Sequence, residues 1–333
     1  AVWVMALSLY GITSAHAGVN VNLSGAISNP AGYGGGVTTA VIDDFRNQLS
    51  QIWDRGSALT ADAFAMANYF TSTTGRAKID NISLGLMFSP TFATTANAID
   101  SGMKDSLAAA KGGGFNMGLL VGFSLGSKAD LIFHGMYIPE AKYIKQIDRF
   151  SAFGGGFKLR FKIIGSAKAV GTGLDGLTLS LSGGYSRTKL KYSTALNQSA
   201  QYEALGYAGT LTFSDFNGEA RIQAFYAGVD LKIYFRLLHF LTLYGGAGVI
   251  WDYSTITIDA LGTANNTLNS VTQNGTVGIT ADTKSSRFIP HVTVGLCFNI
   301  AFIKIPVQLS MTWSKENKTT PIWNLTGGVA ISF

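Results

Sequence analysis

Lys158, Arg160 and Lys162 occupy alternate positions in one run of apolar residues. In a strand, alternate side chains point to one face, so all three would project together. Stacked cations are anion chemistry, because rings of basic side chains favour anions in pores. Asp230 and Lys232 repeat the spacing, and His134 holds the same phase of its own run. These six form the candidate lumen-lining set, which Arg187 and Lys189 would extend. Buried charges require partners. Carboxylates of the N-terminal region, for example Asp43, Asp44 or Asp54, could supply them, with Arg46 among them. The expectation is that these four belong to a plug whose carboxylates pair with the basic strand.

Other chemistry fails on context. Gly171-Thr172-Gly173-Leu174-Asp175-Gly176 has dinucleotide-loop spacing but precedes Leu177-Thr178-Leu179-Ser180-Leu181, a strand pattern where a helix is required. Gly122 to Lys128 has the wrong spacing for a phosphate loop. Beyond the first 17 residues the histidines are His134, His239 and His291, too scattered in sequence for a metal motif. The single cysteine, Cys297, allows no intrachain disulfide and no cysteine cluster. There is no Asp-His dipeptide and no convincing Ser/His set. The sequence therefore offers no catalytic residue, metal site or cofactor, and no basic-aromatic layout for nucleic acid.

The elements that would position the charges follow from composition and period. Charged residues are 13% of the 333, about half the usual share for soluble domains, and glycine is 40. No run after residue 17 approaches the ~20 apolar residues of a membrane helix. Residues 1–17 read as a residual signal peptide, with Ala15-His16-Ala17 as the cleavage pattern. Residues 18–77 form an N-terminal segment with helical spacing over 41–53 and 61–70, the second capped by Thr60. This segment is expected either to plug a lumen or to lie beneath it on the periplasmic side.

From residue 78 to 333 the period is two. The expected strands are 78–90, 114–126, 129–139, 150–164, 175–190, 219–235, 239–256, 286–301, 304–316 and 322–333. Ten strands with alternating apolar and small polar residues predict a closed antiparallel transmembrane β-barrel. Twelve would follow if residues 205–216 crossed the membrane with a partner; here they are read as loop. The expected short periplasmic links are 127–128, 165–174, 236–238 and 302–303. The expected outside loops are 91–113, 140–149, 191–218, 257–285 and 317–321.

Aromatic residues fall at two levels, as expected at bilayer interfaces. Tyr137, Trp251, Tyr253, Trp313 and Trp323 mark the outer one, and Phe333 closes the inner one. The last strand, with Trp323, Leu325, Val329 and Ile331 alternating toward a terminal Phe333, resembles that of Gram-negative-type outer-membrane β-barrel proteins. That resemblance implies residence in the bacterial outer membrane, contact with its lipid and lipopolysaccharide, and recognition of the last strand by the barrel-assembly machinery. Helices ahead of a barrel look a little like the plugged fatty-acid transporters of the FadL type, whose chains are longer. The short turns are shared with the small barrels related to outer-membrane proteins A and W. The expected function is a small pore or uptake channel for small solutes, partly occluded by its N-terminal segment. A closed structural or adhesive barrel acting through its outside loops is the alternative, and an outer-membrane enzyme is the least favoured reading.

Overall fold

The computed structural model describes residues 16–25, 43, 46–47, 50, 57, 59–94, 111–142, 148–165, 172–194, 198–204, 207–268, 271–312 and 321–333. Its strands in chain order are β1 (His16–Gly25), β2 (Ile82–Thr94), β3 (Lys111–Ser124), β4 (Ala129–Ala141), β5 (Arg149–Ile164) and β6 (Thr172–Thr194). They continue with β7 (Gln198–Ala204), β8 (Tyr207–Leu237), β9 (Leu241–Leu268), β10 (Val271–Ile300), β11 (Ile303–Thr312) and β12 (Ile322–Ser332). Residues 59–70 form the helix α1.

Ten of these strands close on themselves. β2 to β6 pair in sequence, β6 pairs β8, β8 to β12 pair in sequence, and β12 returns to β2, every neighbour antiparallel. The ring uses the ten segments expected from the period. Closure leaves the ring without an edge, which is how a sheet satisfies its backbone inside a bilayer.

The outward column of β10 shows where the bilayer lies. Val292, Val294, Phe298 and Ile300 are exposed and apolar, whereas Thr280, Asp282 and Lys284 of the same column are exposed and polar. Apolar side chains facing outward on a closed barrel are lipid-facing. The same belt is continued by Leu84, Leu86 and Phe88 on β2, Leu119 on β3, Phe157 on β5 and Leu325 on β12. Tyr137, Trp251, Tyr253, Trp323 and Phe333 all stand exposed on the outer wall. Trp313 lies outside the described residues.

The end bearing Phe333 has tight connections. Gly126, Leu238 and Ala301 take positive φ of 84°, 65° and 50° in the β3–β4, β8–β9 and β10–β11 turns. Short turns mark the periplasmic end of such barrels.

The opposite end departs from expectation. Residues 191–218 and 257–285, expected as loops, are largely strand. β8, β9 and β10 are 31, 28 and 30 residues long, against the ~9–11 that cross a bilayer. Their upper halves pair with one another and with two added strands, giving an outer sheet in the order β1-β10-β9-β8-β7. Residues 207–216 are thus the top of β8, and neither β7 nor β1 joins the ring. Asp215, at φ 53°, sits at the register shift between Ser214 and Asn217, where β8 leaves the ring and enters this sheet.

The outer sheet has its own apolar face of Val19, Val21, Leu211, Phe213, Ala264, Val277 and Ala281. It continues the inward column of β10, which changes from Thr283, Ser285 and Arg287 in the barrel to Ala281, Ile279 and Val277 above it. An apolar inner face under a polar outer one is what lets a sheet stand in water. β1 falls where the end of a signal peptide and the start of the N-terminal segment were expected, and its pairing with the upper half of β10 puts it on the side opposite the short turns. Asn20→Cys in a Cys297→Ser background should therefore react with a membrane-impermeant maleimide on intact cells. Protection of that thiol until the cells are lysed would contradict an outer β1.

Candidate functional site

The inward face of the ring is polar, and α1 lies inside it. Its contacts reach walls on all sides. The Asp62 carboxylate meets Arg287 of β10 at 3.2 Å. Asn68 donates to Ser186 Oγ of β6 at 2.5 Å and accepts from Asn116 Nδ2 of β3 at 2.8 Å. Tyr69 Oη donates to Asp230 Oδ2 of β8 at 2.6 Å. Ser57 bonds Thr283, and Thr73 Oγ1 donates to Gln308 of β11 at 3.4 Å. From Ser57 to Asn81 the chain descends from the outer sheet to the turn end, where Asn81 N–H donates to the Phe333 carbonyl at 2.9 Å. The helix starts earlier than expected: Ser57 and Leu59 are already helical, so Thr60 is inside the first turn and not its cap.

Two glycines make room for the helix. A side chain at Gly114 of β3 would come within 2.3 Å of the Ala63 carbonyl oxygen, and one at Gly228 of β8 within 2.5 Å of the Tyr69 ring. α1 is packed at backbone distance against the wall, with Ala61, Ala63, Ala65, Met66, Tyr69 and Phe70 all at 0% exposure.

The six lumen candidates are all inward and nearly all fully buried. Arg160 donates to Asp130 Oδ2 through Nε at 3.0 Å and Nη2 at 2.5 Å, and through Nη1 to Thr74 Oγ1 at 2.6 Å. Lys162 reaches the other Asp130 oxygen at 2.8 Å. Lys158 lies 3.5 Å from Asp230. Lys232 donates to Gln308 Oε1 at 2.9 Å. His134 Nε2 is 2.8 Å from Tyr226 Oη. His291 is buried within β10 against the rings of Tyr69 and Phe70, at 5.4 and 5.1 Å.

The partners differ from those expected. The basic strand pairs with Asp130 and Asp230 of the barrel wall itself. Asp43 instead pairs with Arg46 at 2.6 Å, both partly exposed, and Asp44 and Asp54 lie outside the described residues. Arg187 and Lys189 are also corrected: they share the outward column with Phe153 and Ser151 and do not extend the lumen set.

In this cluster four inward cations, Lys158, Arg160, Lys162 and Lys232, face two inward carboxylates, Asp130 and Asp230, while Arg287 and Asp252 add one inward charge of each sign nearer the outer sheet. The helix supplies the rest of the compensation through its aromatic faces. Lys158 Nζ lies 4.9 Å from the Tyr69 ring centre, and Lys232 Nζ lies 6.0 Å from that of Phe70 and 5.8 Å from Tyr244. A desolvated cation over a ring contributes about 2 kcal/mol. Tyr69 thus acts twice, donating to the carboxylate and covering the lysine paired with it.

Sequence reasoning missed Asp130, Tyr69, Asn68, Asp62 and Arg287. Parity alone would have turned Asp130 inward with His134, but its pairing with Arg160 depends on the β4–β5 register. Among the described residues there is no group of three or more metal-ligating side chains. The contacts described hold α1 against the wall of the ring.

The family described as Lsa36-like matches residues 55–324, a stretch that takes in α1 together with nearly the whole ring. No curated protein matches the chain. Among solved structures it is similar to the translocator domain of the autotransporter NalP from Neisseria meningitidis. That match has 10% identity, a TM-score of 0.32, and covers 89% of this chain and 98% of that one. It is similar to the outer membrane protease OmpT of Escherichia coli at 12% identity and TM-score 0.34, covering 77% and 98%. A FadL homologue of Pseudomonas aeruginosa matches at 10% identity and TM-score 0.26, covering 82% and 98%.

Proposed function

We propose that this chain, which belongs to the Lsa36-like family, is a closed outer-membrane barrel that carries a β-sheet on the cell surface. The observation behind this reading is the placement of α1, bonded at once to β3, β6, β8 and β10. A helix tied to opposite walls blocks solute passage. The work then falls to the outer sheet, whose strands are far longer than membrane crossing requires. Of its edges, β1 pairs only with β10 and β7 only with β8 among the described residues. Unpaired strand edges are available to extended segments of other chains.

The pore remains a second reading because of the excess of inward cations, which would favour anions if α1 moved aside. Single-channel recording from the refolded full chain in a planar bilayer separates the two. The closed reading expects a silent baseline under voltage. Regular steps in the unmodified chain would return the function to solute passage.

A further inference from the structure

The outward wall across β4, β5, β6, β8 and β9 is unlike the rest of the belt. A groove of about 670 Å³ runs over it, flanked by the outward-facing rings of Phe133, Phe157, Tyr185, Phe225 and Trp251. Its floor is made where side chains are missing. Gly155 and Gly156 of β5 and Gly183 and Gly184 of β6 form it, with the inward-facing His134 and Tyr226 behind them. The volume is that of a small-ligand site, and its walls are apolar and lipid-facing.

The same outward columns carry an unbalanced charge cluster immediately toward the cell exterior. On β6, Tyr185 is followed by Arg187, Lys189 and Lys191 at alternate positions. Arg149 pairs across from Lys191, and Arg221 from Lys189. Glu140 lies 3.4 Å from Arg149 and 3.5 Å from Lys191, and Glu219 lies 3.0 Å from Lys189 and also bonds Arg221; Asp259 stands across from Glu219, and Asp148 pairs with Lys142 at 3.9 Å, so with Lys142 six cations face four carboxylates. Arg187 makes no ion pair among the described residues. An apolar groove running into surplus positive charge at the bilayer surface matches an amphiphile with an apolar tail and an anionic head.

We propose that this wall holds a phosphate-bearing lipid of the outer leaflet. Its acyl chain lies in the glycine-floored groove and its phosphate rests against Arg187, Lys189 and Arg221. The inference is independent of whether the lumen conducts.

Native mass spectrometry of the refolded full chain tests it, using phosphatidylglycerol and phosphatidylcholine of equal chain length. The unmodified barrel should retain phosphatidylglycerol with roughly tenfold preference, as expected for a few basic residues acting at a membrane surface. Arg187→Gln with Arg221→Gln should bring that preference close to one. Gly183→Leu should reduce retention of both lipids by filling the floor. A Cβ there meets the Phe157 ring at 3.5 Å and the Tyr226 carbonyl oxygen at 3.6 Å, both ordinary contacts, so the wall accommodates it. Unchanged heat-dependent gel migration would show that each variant still forms the barrel. Either variant keeping wild-type retention overturns the proposal. So does displacement of the lipid by excess inorganic phosphate, which would mean a site for free anions. A dimer lost on Gly183→Leu also overturns it, since the groove would then seat a second copy.

Discussion

Asp130→Ala should destabilise the barrel by about 3–5 kcal/mol, read as a lower urea midpoint for the refolded chain in detergent. Removing this carboxylate leaves two cations behind, Arg160 and Lys162, whose side chains are 3% and 6% exposed. Breaking a buried pair costs that much because the surviving charge stays buried without compensation. Arg160 also donates to Thr74 Oγ1, so the loss extends to the segment joining α1 to β2. The origin of the effect is separable. Asp130→Ala combined with Arg160→Met and Lys162→Met removes all three charges, and apolar replacements of buried ion pairs are commonly neutral or stabilising. Most of the stability should return in that triple variant. An Asp130→Ala midpoint equal to wild type would show that water reaches the pair and that the lower lumen is not dry.

Gly114→Val should open the barrel to ions, while Gly113→Val should leave it unchanged. The two glycines are adjacent on β3 and face opposite ways. A Cβ at Gly114 meets the Ala63 carbonyl oxygen at 2.3 Å and the Phe64 nitrogen at 2.6 Å, both backbone atoms that cannot swing aside. A Cβ at Gly113 has only the Thr91 carbonyl oxygen, at 3.8 Å. Valine at 114 therefore displaces α1 from its seat on β3. That uncovers Lys158 and Lys232, whose charges are now shared with aromatic rings of α1. The resulting conductance should favour anions, because the four inward cations of that cluster then face two carboxylates. Gly113→Val should stay silent, with stability within about 0.5 kcal/mol of wild type, as for other surface changes. Silence of Gly114→Val with an intact barrel would show that α1 re-seats and is not the gate.

The ring was legible because its physics is local in sequence. Phe115, Met117, Leu119, Val121 and Phe123 against Gly114, Asn116, Gly118, Leu120 and Gly122 state two faces without any knowledge of neighbours. The outer sheet was not read in this way. Residues 265–268 and 271–274 are rich in Asn and Thr, which signal loops, while the pairing that makes them strand comes from the β9–β10 hairpin and from residues 209–212 of β8, and β10 next to them pairs with β1, 258 residues away for Val21 and Ile279. The site divided along the same line. Parity correctly turned Lys158, Arg160 and Lys162 inward. The same parity, counted from Leu177, Leu179 and Leu181, puts Arg187 and Lys189 on the outward face, and their assignment to the lumen set followed their charge and not their phase. Partner choice was beyond reach, since Asp130 meets Arg160 only through register and Tyr69 meets Asp230 only through the path of the helix.

That path constrains the order in which the molecule can be made. β1 is fixed outside, β2 begins at the turn end, and residues 59–81 between them run through the middle of a ring with no edge. Once β12 has zipped onto β2, a strand-bearing N-terminus would have to be threaded through a lumen that α1 alone fills. The simpler order is that β1 and α1 take their places on a still-open sheet and the β2–β12 seam closes around them. The seam is then a clasp fastened last, and α1 serves as the mandrel on which the barrel is wound.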